Sequence, residues 1–239
     1  MIMDIENRIK NYWDERSEDF SKFRRIELEG VSSYAWEKIL MADLPAGNSL
    51  KILDVGTGAG FFAATLSKLG HKVTGVDLSP KMIDAAEKLF RDIKLDAEFF
   101  TADAQNLPFD DATFDAIVTR NLTWTLPDVM KAYREWHRVL KIGGVLINFD
   151  SDYGDRNFTR ENSGVDVEVT DKMLDECTAI KNSLRISTHT RPQFDVEFLT
   201  KLGFKVQCDS DVSEKVHVDK NVPYDSTPLF KIRAEKILQ

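Results

Sequence analysis

Apolar residues along the chain alternate between two spacings. Short, nearly continuous runs such as SLKILDV (49–55) are typical of buried strands, whereas Phe62, Leu66 and Leu69 recur on one face of a helix. This alternation predicts five strands before residue 151, in the stretches SLKILDV, HKVTGVDL, DAEFFTAD, TFDAIVTRN and GGVLINFD. Strands joined by helices run parallel when they share a sheet, because a right-handed crossover is nearly the only available connection. We therefore predict a doubly wound α/β fold with helices on both faces.

The residues before the first predicted strand have a helical pattern. Residues 31–43 carry apolar side chains at helical spacing. The charged stretch 14–29 (DERSEDFSKFRRIELE) fits a solvated helix face with Phe20 and Phe23 turned inward. We predict a helical cap over about residues 1–44.

After residue 150 the regular alternation stops. Residues 151–191 hold a polar segment and one predicted helix over 170–184, with no stretch typical of a core strand. We interpret this region as an insertion that covers a site. A further helix then precedes two β-rich stretches, FKVQCDSDV and TPLFKIRAE, which predict an antiparallel hairpin at the sheet edge. The predicted sheet thus has seven strands and is mostly parallel.

Composition restricts the classes of partner. A chain of 239 residues, 42% of them hydrophobic, can bury one good core, so we expect a single domain over 1–239. The formal charge of −8 opposes the broad basic field that a phosphate backbone requires, so we expect no nucleic-acid partner. The sequence shows no signal-peptide core and no run of about 20 apolar residues. This favours a cytoplasmic protein without a membrane partner, and we expect a monomer or homodimer.

The two cysteines argue against a metal site. Cys177 and Cys208 stand alone, without CxxC spacing or nearby histidines. We therefore expect reduced, structural thiols and no bound metal.

Three glycines stand at alternate positions directly after the first predicted strand, in LDVGTGAGFF (53–62). A helix that starts here presents free N–H groups and a positive dipole end, and glycine lets a ligand approach the main chain. A dinucleotide-binding turn has the spacing GxGxxG, but this turn reads GxGxG and has Phe61 where the third glycine would fall. The spacing by itself does not identify the ligand.

Short polar residues stand at the ends of successive strands: Asp54, Asp77, Asp103 and the pair Arg120 and Asn121. In a doubly wound sheet these ends lie on the rim where ligands bind. An ionised carboxylate such as Asp77 can accept two hydroxyl hydrogen bonds from a diol. Asp103, followed by a backbone amide, offers the acceptor and donor that a purine edge needs. A helix N-cap is the alternative role, which fits Asp77 as well but fits Asp103 poorly, because a loop follows it.

These features resemble the class I S-adenosylmethionine-dependent methyltransferases, in particular those that act on small molecules, which have a Rossmann-like seven-stranded sheet. The resemblance covers about residues 45–150, through LDVGTGAGFFAATLSKLGHKVTGVDLSPKMIDAA, TADAQNLPFDDATFDAIVTRN and REWHRVLKIGGVLI. It implies S-adenosyl-L-methionine as the cofactor and S-adenosyl-L-homocysteine as its product.

The resemblance also implies roles for individual residues. Asp77 would accept from both ribose hydroxyls, and Asp103 would accept from the adenine amino group while the amide of Ala104 donates to the ring. The other residues that the resemblance places around the cofactor are Gly56, Thr57 and Gly58 at the methionine and ribose, Leu78 and Met82 at the adenine, and the backbone of Arg120 and Asn121 at the methionine ammonium.

The methyl donor is a sulfonium cation, so its pocket favours aromatic faces such as those of Tyr12, Trp13 or Trp124. Tyr153, in the insertion, is a further candidate for contacting the acceptor or covering the site. Four arginines of the insertion could receive an anionic acceptor group: Arg156, Arg160, Arg185 and Arg191.

No single titratable side chain is expected to be indispensable for methyl transfer. The sulfonium is already an activated leaving group, so positioning and exclusion of water can carry the reaction. A base helps only if the acceptor must lose a proton. His137 and His189 are then the candidates, and His189 is the better one.

Two other functions stay open on the residues alone. A nicotinamide-dependent oxidoreductase shares the acidic residue about 20 positions after the glycines, but it does not account for Phe61 or Asp103. A cofactor-binding protein without turnover would have the same fold. The stretch RNLTW after the fourth strand lacks the Asn/Asp-Pro-Pro-Tyr pattern of nucleic-acid amino-methylating enzymes, which favours a small-molecule acceptor.

Overall fold

A computed structural model describes residues 4–161, 169–220, 222 and 224–238. The strands are β1 (Lys51–Val55), β2 (Lys72–Asp77), β3 (Glu98–Thr101), β4 (Phe114–Arg120), β5 (Leu140–Ser151), β6 (Phe204–Asp209) and β7 (Leu229–Lys236). The helices are α1 (Ile5–Glu29), α2 (Val31–Asp43), α3 (Phe61–Lys68), α4 (Pro80–Ile93), α5 (Val129–Val139), α6 (Asp171–Ser183), α7 (Gln193–Lys201) and α8 (Ser213–Val216). Two short 3₁₀ helices span Thr123–Thr125 and Arg185–Thr188.

The seven strands form one sheet in the order β3-β2-β1-β4-β5-β7-β6. The pairs from β3 to β5 are parallel, whereas β7 pairs antiparallel with both β5 and β6. The predicted fold class is therefore confirmed, including the antiparallel C-terminal hairpin. The hairpin places its second strand inside the sheet, between β5 and β6, and the short helix α8 lies in its connection.

Helices cover both faces of the sheet, which explains why the central strands are apolar on both sides. Leu146 and Ile147 are adjacent in β5 and both fully buried, yet they belong to separate core clusters. One cluster contains Trp136 of α5, and the other contains Trp36 of α2. The Trp36 ring lies 5.1 Å from that of Phe149 in an edge-to-face contact, a geometry that adds to the stability from area burial.

N-cap side chains determine where helices α4 and α5 begin. The Ser79 hydroxyl accepts a hydrogen bond from the Met82 amide at 3.1 Å, with Pro80 in the first turn of α4. Asp128 caps α5 in the same way, through the Lys131 amide at 3.0 Å. These caps set the position of each helix relative to the strand that precedes it.

The N-terminal helices form where the sequence predicted them, but three charged residues of the stretch 14–29, predicted as a solvated face, are buried. The Glu27 side chain is completely buried, and Arg16 and Arg24 are less than a tenth exposed. These charges are tolerated inside because each has an ion-pair partner.

The insertion predicted over 151–191 is described except for residues 162–168. Its helix α6 contacts α1 through a two-bond ion pair between Arg8 and Glu176, at 2.5 and 2.9 Å. Among the described helices, none is long and apolar enough to cross a membrane. The described residues also contain no group of three His, Cys, Asp or Glu side chains arranged to hold a metal.

Candidate functional site

The glycine turn after β1 has a backbone that other residues rarely adopt. Gly56, Gly58 and Gly60 all have positive φ angles, of 67°, 51° and 85°. A Cβ atom at Gly60 would also lie 3.2 Å from the Cβ of Ala86, so the third glycine lets α3 approach α4 closely. The alternate glycines are thus required by the turn itself, before any ligand is considered.

The Asp54 side chain stabilises this turn through two hydrogen bonds. Its Oδ2 accepts hydrogen bonds from the Thr57 hydroxyl at 2.7 Å and from the Ala63 amide at 3.0 Å. Burial raises the pKa of Asp54 to about 7, although the two donors oppose that shift. Asp54 therefore shapes the turn and does not face the rim.

A cavity of about 220 Å³ opens between the glycine turn, the ends of β2, β3 and β4, and helix α1. Most of its accessible lining is apolar, with convergent polar groups at the strand ends, as is usual for small-molecule sites. The predicted cofactor residues that line it are Gly56, Gly58, Asp77, Leu78, Met82, Asp103, Ala104, Arg120 and Asn121. Thr57 lines only a narrow recess of about 30 Å³ beside it.

Asp77 is positioned by the backbone on both sides. Its Oδ2 accepts from the Gly58 amide and its Oδ1 from the Ser79 amide, each at 2.9 Å. A carboxylate has about four acceptor sites, so each oxygen can take one further hydrogen bond. Burial raises the pKa of Asp77 to about 6 against the opposing effect of these amides. The side chain is therefore predominantly ionised at neutral pH.

Asp103 is fixed by the residue two positions later. Its Oδ1 accepts from the Gln105 backbone amide at 2.8 Å and from the Gln105 side-chain amide at 3.0 Å. The neighbouring Ala104 carbonyl accepts from the indole of the buried Trp136 at 2.9 Å. The loop after β3 is thus anchored to the core, and the Asp103 carboxylate lines the cavity.

The end of β4 is held in a less common backbone conformation. Asn121 has a φ of 53°, and its carbonyl accepts from the Trp124 indole at 3.0 Å. The Arg120 guanidinium donates to both oxygens of Glu27, at 2.9 and 3.0 Å, and lies 4.1 Å above the Trp36 ring. Arg120 therefore connects the rim of the sheet to helix α1.

Glu27 organises a charged cluster that the sequence analysis missed. It also accepts from Arg24 at 2.5 Å and from the Trp36 indole at 2.9 Å. Burial alone would raise the Glu27 pKa, but Arg120 and Arg24 lower it to about 2. Arg120 and Glu27 are 93 positions apart, so no local pattern could have paired them.

Several aromatic rings line the cavity. Trp124, Tyr153 and Phe158 have ring centroids 5.0 to 5.4 Å apart, and Tyr12 of α1 is also in the lining. The buried Asp150 accepts from the Trp124 amide at 3.0 Å and so fixes the start of this wall. Burial raises the pKa of Tyr12 and of Tyr153, so both hydroxyls stay protonated.

The two histidines suggested as a general base, His137 and His189, do not line the cavity. His189 stacks on Phe194 with ring centroids 4.1 Å apart and is not part of the cavity lining. His137 packs edge-on against Phe204, also outside the lining. His217, which the analysis did not single out, does line the cavity. Burial, with Arg120 nearby, lowers the His217 pKa to about 4 and keeps the ring neutral.

Three of the four arginines suggested for an anionic acceptor make ion pairs elsewhere. Arg156 pairs with Asp225 at 3.1 Å, Arg160 pairs with Asp171 at 2.7 Å, and the buried Arg191 pairs with Asp195 at 2.8 Å. None of the four is in the cavity lining. The structure therefore does not bring these arginines to the cavity.

The central part of the chain is similar to known proteins. Residues 53–148 match the family described as Methyltransferase domain. A demethylmenaquinone methyltransferase of Chlorobaculum tepidum is 36% identical over 141 residues. That match covers 57% of this chain and 56% of the relative, so the chain spans little more than half the length of this relative.

Solved structures confirm the fold over most of the chain. Phosphoethanolamine N-methyltransferase 2 of Haemonchus contortus, in complex with phosphomonomethylethanolamine and S-adenosylhomocysteine, has a TM-score of 0.68 at 17% identity. It matches 99% of this chain and 61% of its own. The [4+2]-cyclase SpnF has a TM-score of 0.60 at 19% identity and matches 85% of this chain and 80% of its own. At such identities the likeness establishes the fold and not the reaction.

Proposed function

We propose that this chain, whose residues 53–148 match the family described as Methyltransferase domain, is a class I S-adenosylmethionine-dependent methyltransferase that transfers a methyl group from S-adenosyl-L-methionine to a small-molecule acceptor. The observation that carries this proposal is the pair of carboxylates, Asp77 and Asp103, at successive strand ends of one cavity beside the glycine turn. Their placement at the ends of neighbouring strands suits a nucleoside, with one carboxylate for the ribose and the other for the base.

The residues present fit the cofactor. Asp77 keeps one acceptor site on each oxygen for the ribose diol, beyond its bonds to Gly58 and Ser79. Leu78 and Met82 line the same cavity and would add apolar contact for the adenine ring. When bound, the cofactor supplies an activated methyl group on a sulfonium.

The chain's own contribution is positioning and exclusion of water. Helix α1 contributes Tyr12 and Trp13 to the cavity lining. A covered, mostly apolar cavity holds acceptor and methyl group in line without bulk water, which can account for several kcal/mol of rate enhancement. Tyr12 and Tyr153 stay protonated and His217 stays neutral, so none of them provides a strong base.

The aromatic wall supports an acceptor with a flat, apolar part. Trp124, Tyr153 and Phe158 offer ring faces and edges within one cavity. The relative from Chlorobaculum tepidum is named for demethylmenaquinone, an acceptor of this description. We extend that acceptor class, a quinone-like ring, to this chain as part of the proposal.

Turnover tests the proposal directly. The protein is incubated with S-adenosylmethionine and either a short-chain demethylmenaquinone analogue or fractionated metabolite pools, and released S-adenosylhomocysteine is measured by mass spectrometry. We expect acceptor-dependent release that stops when the acceptor is omitted. Tight S-adenosylhomocysteine binding with no release for any acceptor would favour a cofactor-binding protein without turnover. Binding of nicotinamide nucleotides in its place would favour the oxidoreductase.

Several sequence-based expectations stay predictions beside this proposal. They are the division into a cap over about 1–44 and an insertion over about 151–191, a cytoplasmic location, a monomer or homodimer, and the lack of a nucleic-acid partner.

A further inference from the structure

One arginine serves two carboxylates in the interior of the protein. Arg191 is the last residue of the predicted insertion, and its side chain is only 2% exposed. Its Nε and Nη2 donate to the two oxygens of Asp195, each at 2.8 Å, and its Nη1 lies 3.5 Å from Oδ2 of Asp150. Both carboxylates are fully buried. Because a buried charge is costly unless it is paired, the two acids depend on this one guanidinium.

The Thr123 hydroxyl links Arg191 to Asp150. The Nη2 of Arg191 donates to this hydroxyl at 2.6 Å, and the hydroxyl in turn donates to Oδ2 of Asp150. The Nη1 has no hydrogen-bond partner among the residues that the structure describes. Burial raises the pKa of Asp150, and the Arg191 charge and the Thr123 hydroxyl counteract that rise. Arg191 therefore reaches Asp150 through Thr123 and favours its ionised form.

Asp150 in turn holds two residues of the cavity lining. Its Oδ2 accepts from the Trp124 backbone amide at 3.0 Å, and its Oδ1 accepts from the Ser151 amide at 2.8 Å. Trp124 and Ser151 line the cavity, whereas Arg191 does not. The Trp124 ring contacts that of Tyr153, also in the lining, at a centroid distance of 5.0 Å. The position of this pair of rings thus depends on a carboxylate outside the cavity.

A second branch of the same network ends in the core. The Oδ1 of Asp195 accepts from the buried Tyr133 hydroxyl at 2.5 Å, which joins α7 to α5 and stabilises the fold. Asn148 donates to the Tyr133 and Thr123 hydroxyls, at 3.2 and 3.3 Å, and so connects the two branches. A change at Arg191 therefore reaches both, and a measurement at the cavity distinguishes positioning from stability.

We infer that Arg191 is a positioning residue for the acceptor: through Thr123 and Asp150 it fixes the Trp124 ring and so sets which flat ligand the cavity accepts. This inference rests on the proposed function, because the acceptor is taken to lie against that ring. Arg191 and Asp150 both lie outside the matched residues 53–148, so this control of the cavity comes from the C-terminal part of the chain.

The first experiment reads the surroundings of Trp124 without any ligand. The protein is labelled with fluorotryptophan, its fluorine NMR spectrum is recorded, and the Trp124 resonance is assigned through Trp124→Phe. Arg191→Met leaves Asp150 buried without its counter-ion, which favours the neutral form and weakens its bond to the Trp124 amide. We expect the Trp124 resonance to shift or broaden, while that of Trp36, in the other core cluster, stays in place. An unchanged Trp124 resonance in folded Arg191→Met overturns the inference.

Arg185→Met is the matched control. Arg185 is exposed and lies on the 3₁₀ helix that precedes Arg191, so its loss should leave the Trp124 resonance unchanged. Circular dichroism verifies that each variant folds. If Arg191→Met does not fold, Arg191→Lys decides in its place. Lysine keeps the charge but lacks the planar fork that serves Asp195 and Thr123 together, so the resonance should still move. An unchanged one again overturns the inference.

A second experiment separates acceptor binding from cofactor binding. The probe is a dimethylnaphthoquinone with both free positions of the quinone ring methylated, so that thiols cannot add to it. It is titrated into protein saturated with S-adenosylhomocysteine, and quenching of tryptophan fluorescence gives its dissociation constant. We expect Arg191→Met to weaken the probe by about 3- to 10-fold, as for one lost aromatic contact.

The affinity for S-adenosylhomocysteine is the internal reference. It should change by less than about 2-fold in Arg191→Met, because the network makes no hydrogen bond to the predicted cofactor residues Asp77 and Asp103. An equal loss of affinity for both compounds would indicate a general loss of structure and overturn the positioning role.

The proposed function can fail separately. If the dimethylnaphthoquinone does not bind the wild type, the quinone-like acceptor class is contradicted, and if S-adenosylhomocysteine does not bind, the methyltransferase proposal is contradicted. The fluorine spectrum needs neither compound. A shift of the Trp124 resonance in Arg191→Met then still supports the positioning role, and its absence overturns it.

Discussion

The Asp77 carboxylate accepts from the Gly58 and Ser79 amides and keeps an acceptor site on each oxygen for a ligand. We expect Asp77→Ala to weaken S-adenosylhomocysteine binding by about 1.5 to 3 kcal/mol, the range for hydrogen bonds to a charged partner. Calorimetry measures the change. Asp84→Ala, an exposed acid on α4, is the control and should bind like the wild type. An unchanged dissociation constant in folded Asp77→Ala would remove Asp77 from the site.

The raised pKa of Asp77 makes binding depend on pH. Its pKa is about 6 in the free protein, because burial disfavours the charged form. Only the ionised carboxylate accepts from both ribose hydroxyls, so affinity should be full above about pH 7 and fall as the pH decreases through 6. Titrations between pH 5 and 8 in about half-unit steps measure this, and Asp77→Asn should lack that part of the dependence. A flat profile in the wild type would contradict the role of the ionised form.

His189 and His217 allow a comparison of how a histidine outside the cavity and one in its lining affect turnover. His189 stacks on Phe194 away from the cavity, whereas His217 lines it. With an acceptor identified, His189→Ala should retain turnover within about 10²-fold of the wild type, the low end of general-base contributions. His217→Ala should have the larger effect of the two. A loss beyond about 10⁴-fold in His189→Ala with cofactor affinity preserved would instead make it the base.

At the scale of elements, the buried cluster around Glu27 joins α1 to β4 and α2. Glu27→Gln keeps the shape but leaves two buried guanidinium groups without a counter-ion. We expect the free energy of unfolding to fall by about 3 to 5 kcal/mol, as for a broken buried ion pair. Urea denaturation measures this.

Glu29→Gln is the control for that loss. Glu29 is two positions away, its side chain is 66% exposed, and its pair with Arg25 is on the surface. Its effect should stay within about 0.5 kcal/mol. Equal, small effects for the two variants would show that the cluster does not hold α1 in place.

Elements with a strong local pattern were predictable from the sequence. The run Ile52, Leu53 and Val55 predicts β1 from neighbouring residues alone, and the structure confirms it. Glu27 was not predictable in this way. Its charge lies in a stretch typical of a solvated face, and its partner Arg120 enters the cluster only through the tertiary fold.

The same distinction applies to the site. Asp77 and Asp103 could be placed on one rim because parallel strands end together, which is a rule of topology. No such rule predicts that His217 lines the cavity, because it lies in the connection between β6 and β7. The position of His189 depends on how the insertion packs against the rest of the chain. The hydrophobic periodicity of the sequence does not predict that packing.

At the scale of the whole molecule, the cavity is completed by segments outside the matched domain. Residues 53–148 supply the glycine turn and both carboxylates, whereas Arg24 and Tyr12 of α1, Tyr153, and His217 supply other parts of the lining. The matched domain therefore supplies the carboxylates proposed for the cofactor, and other parts of the chain complete the lining.

Calorimetric titration of S-adenosylhomocysteine into the wild-type protein, beside NADH under the same conditions, tests the central claim most directly. We predict saturable binding of one S-adenosylhomocysteine per chain and no heat of binding from NADH. At a concentration about 100 times the dissociation constant, the nucleoside should also stabilise the fold by about 2.7 kcal/mol. Saturable binding of NADH without binding of S-adenosylhomocysteine would contradict the assignment of this cavity to methyl transfer.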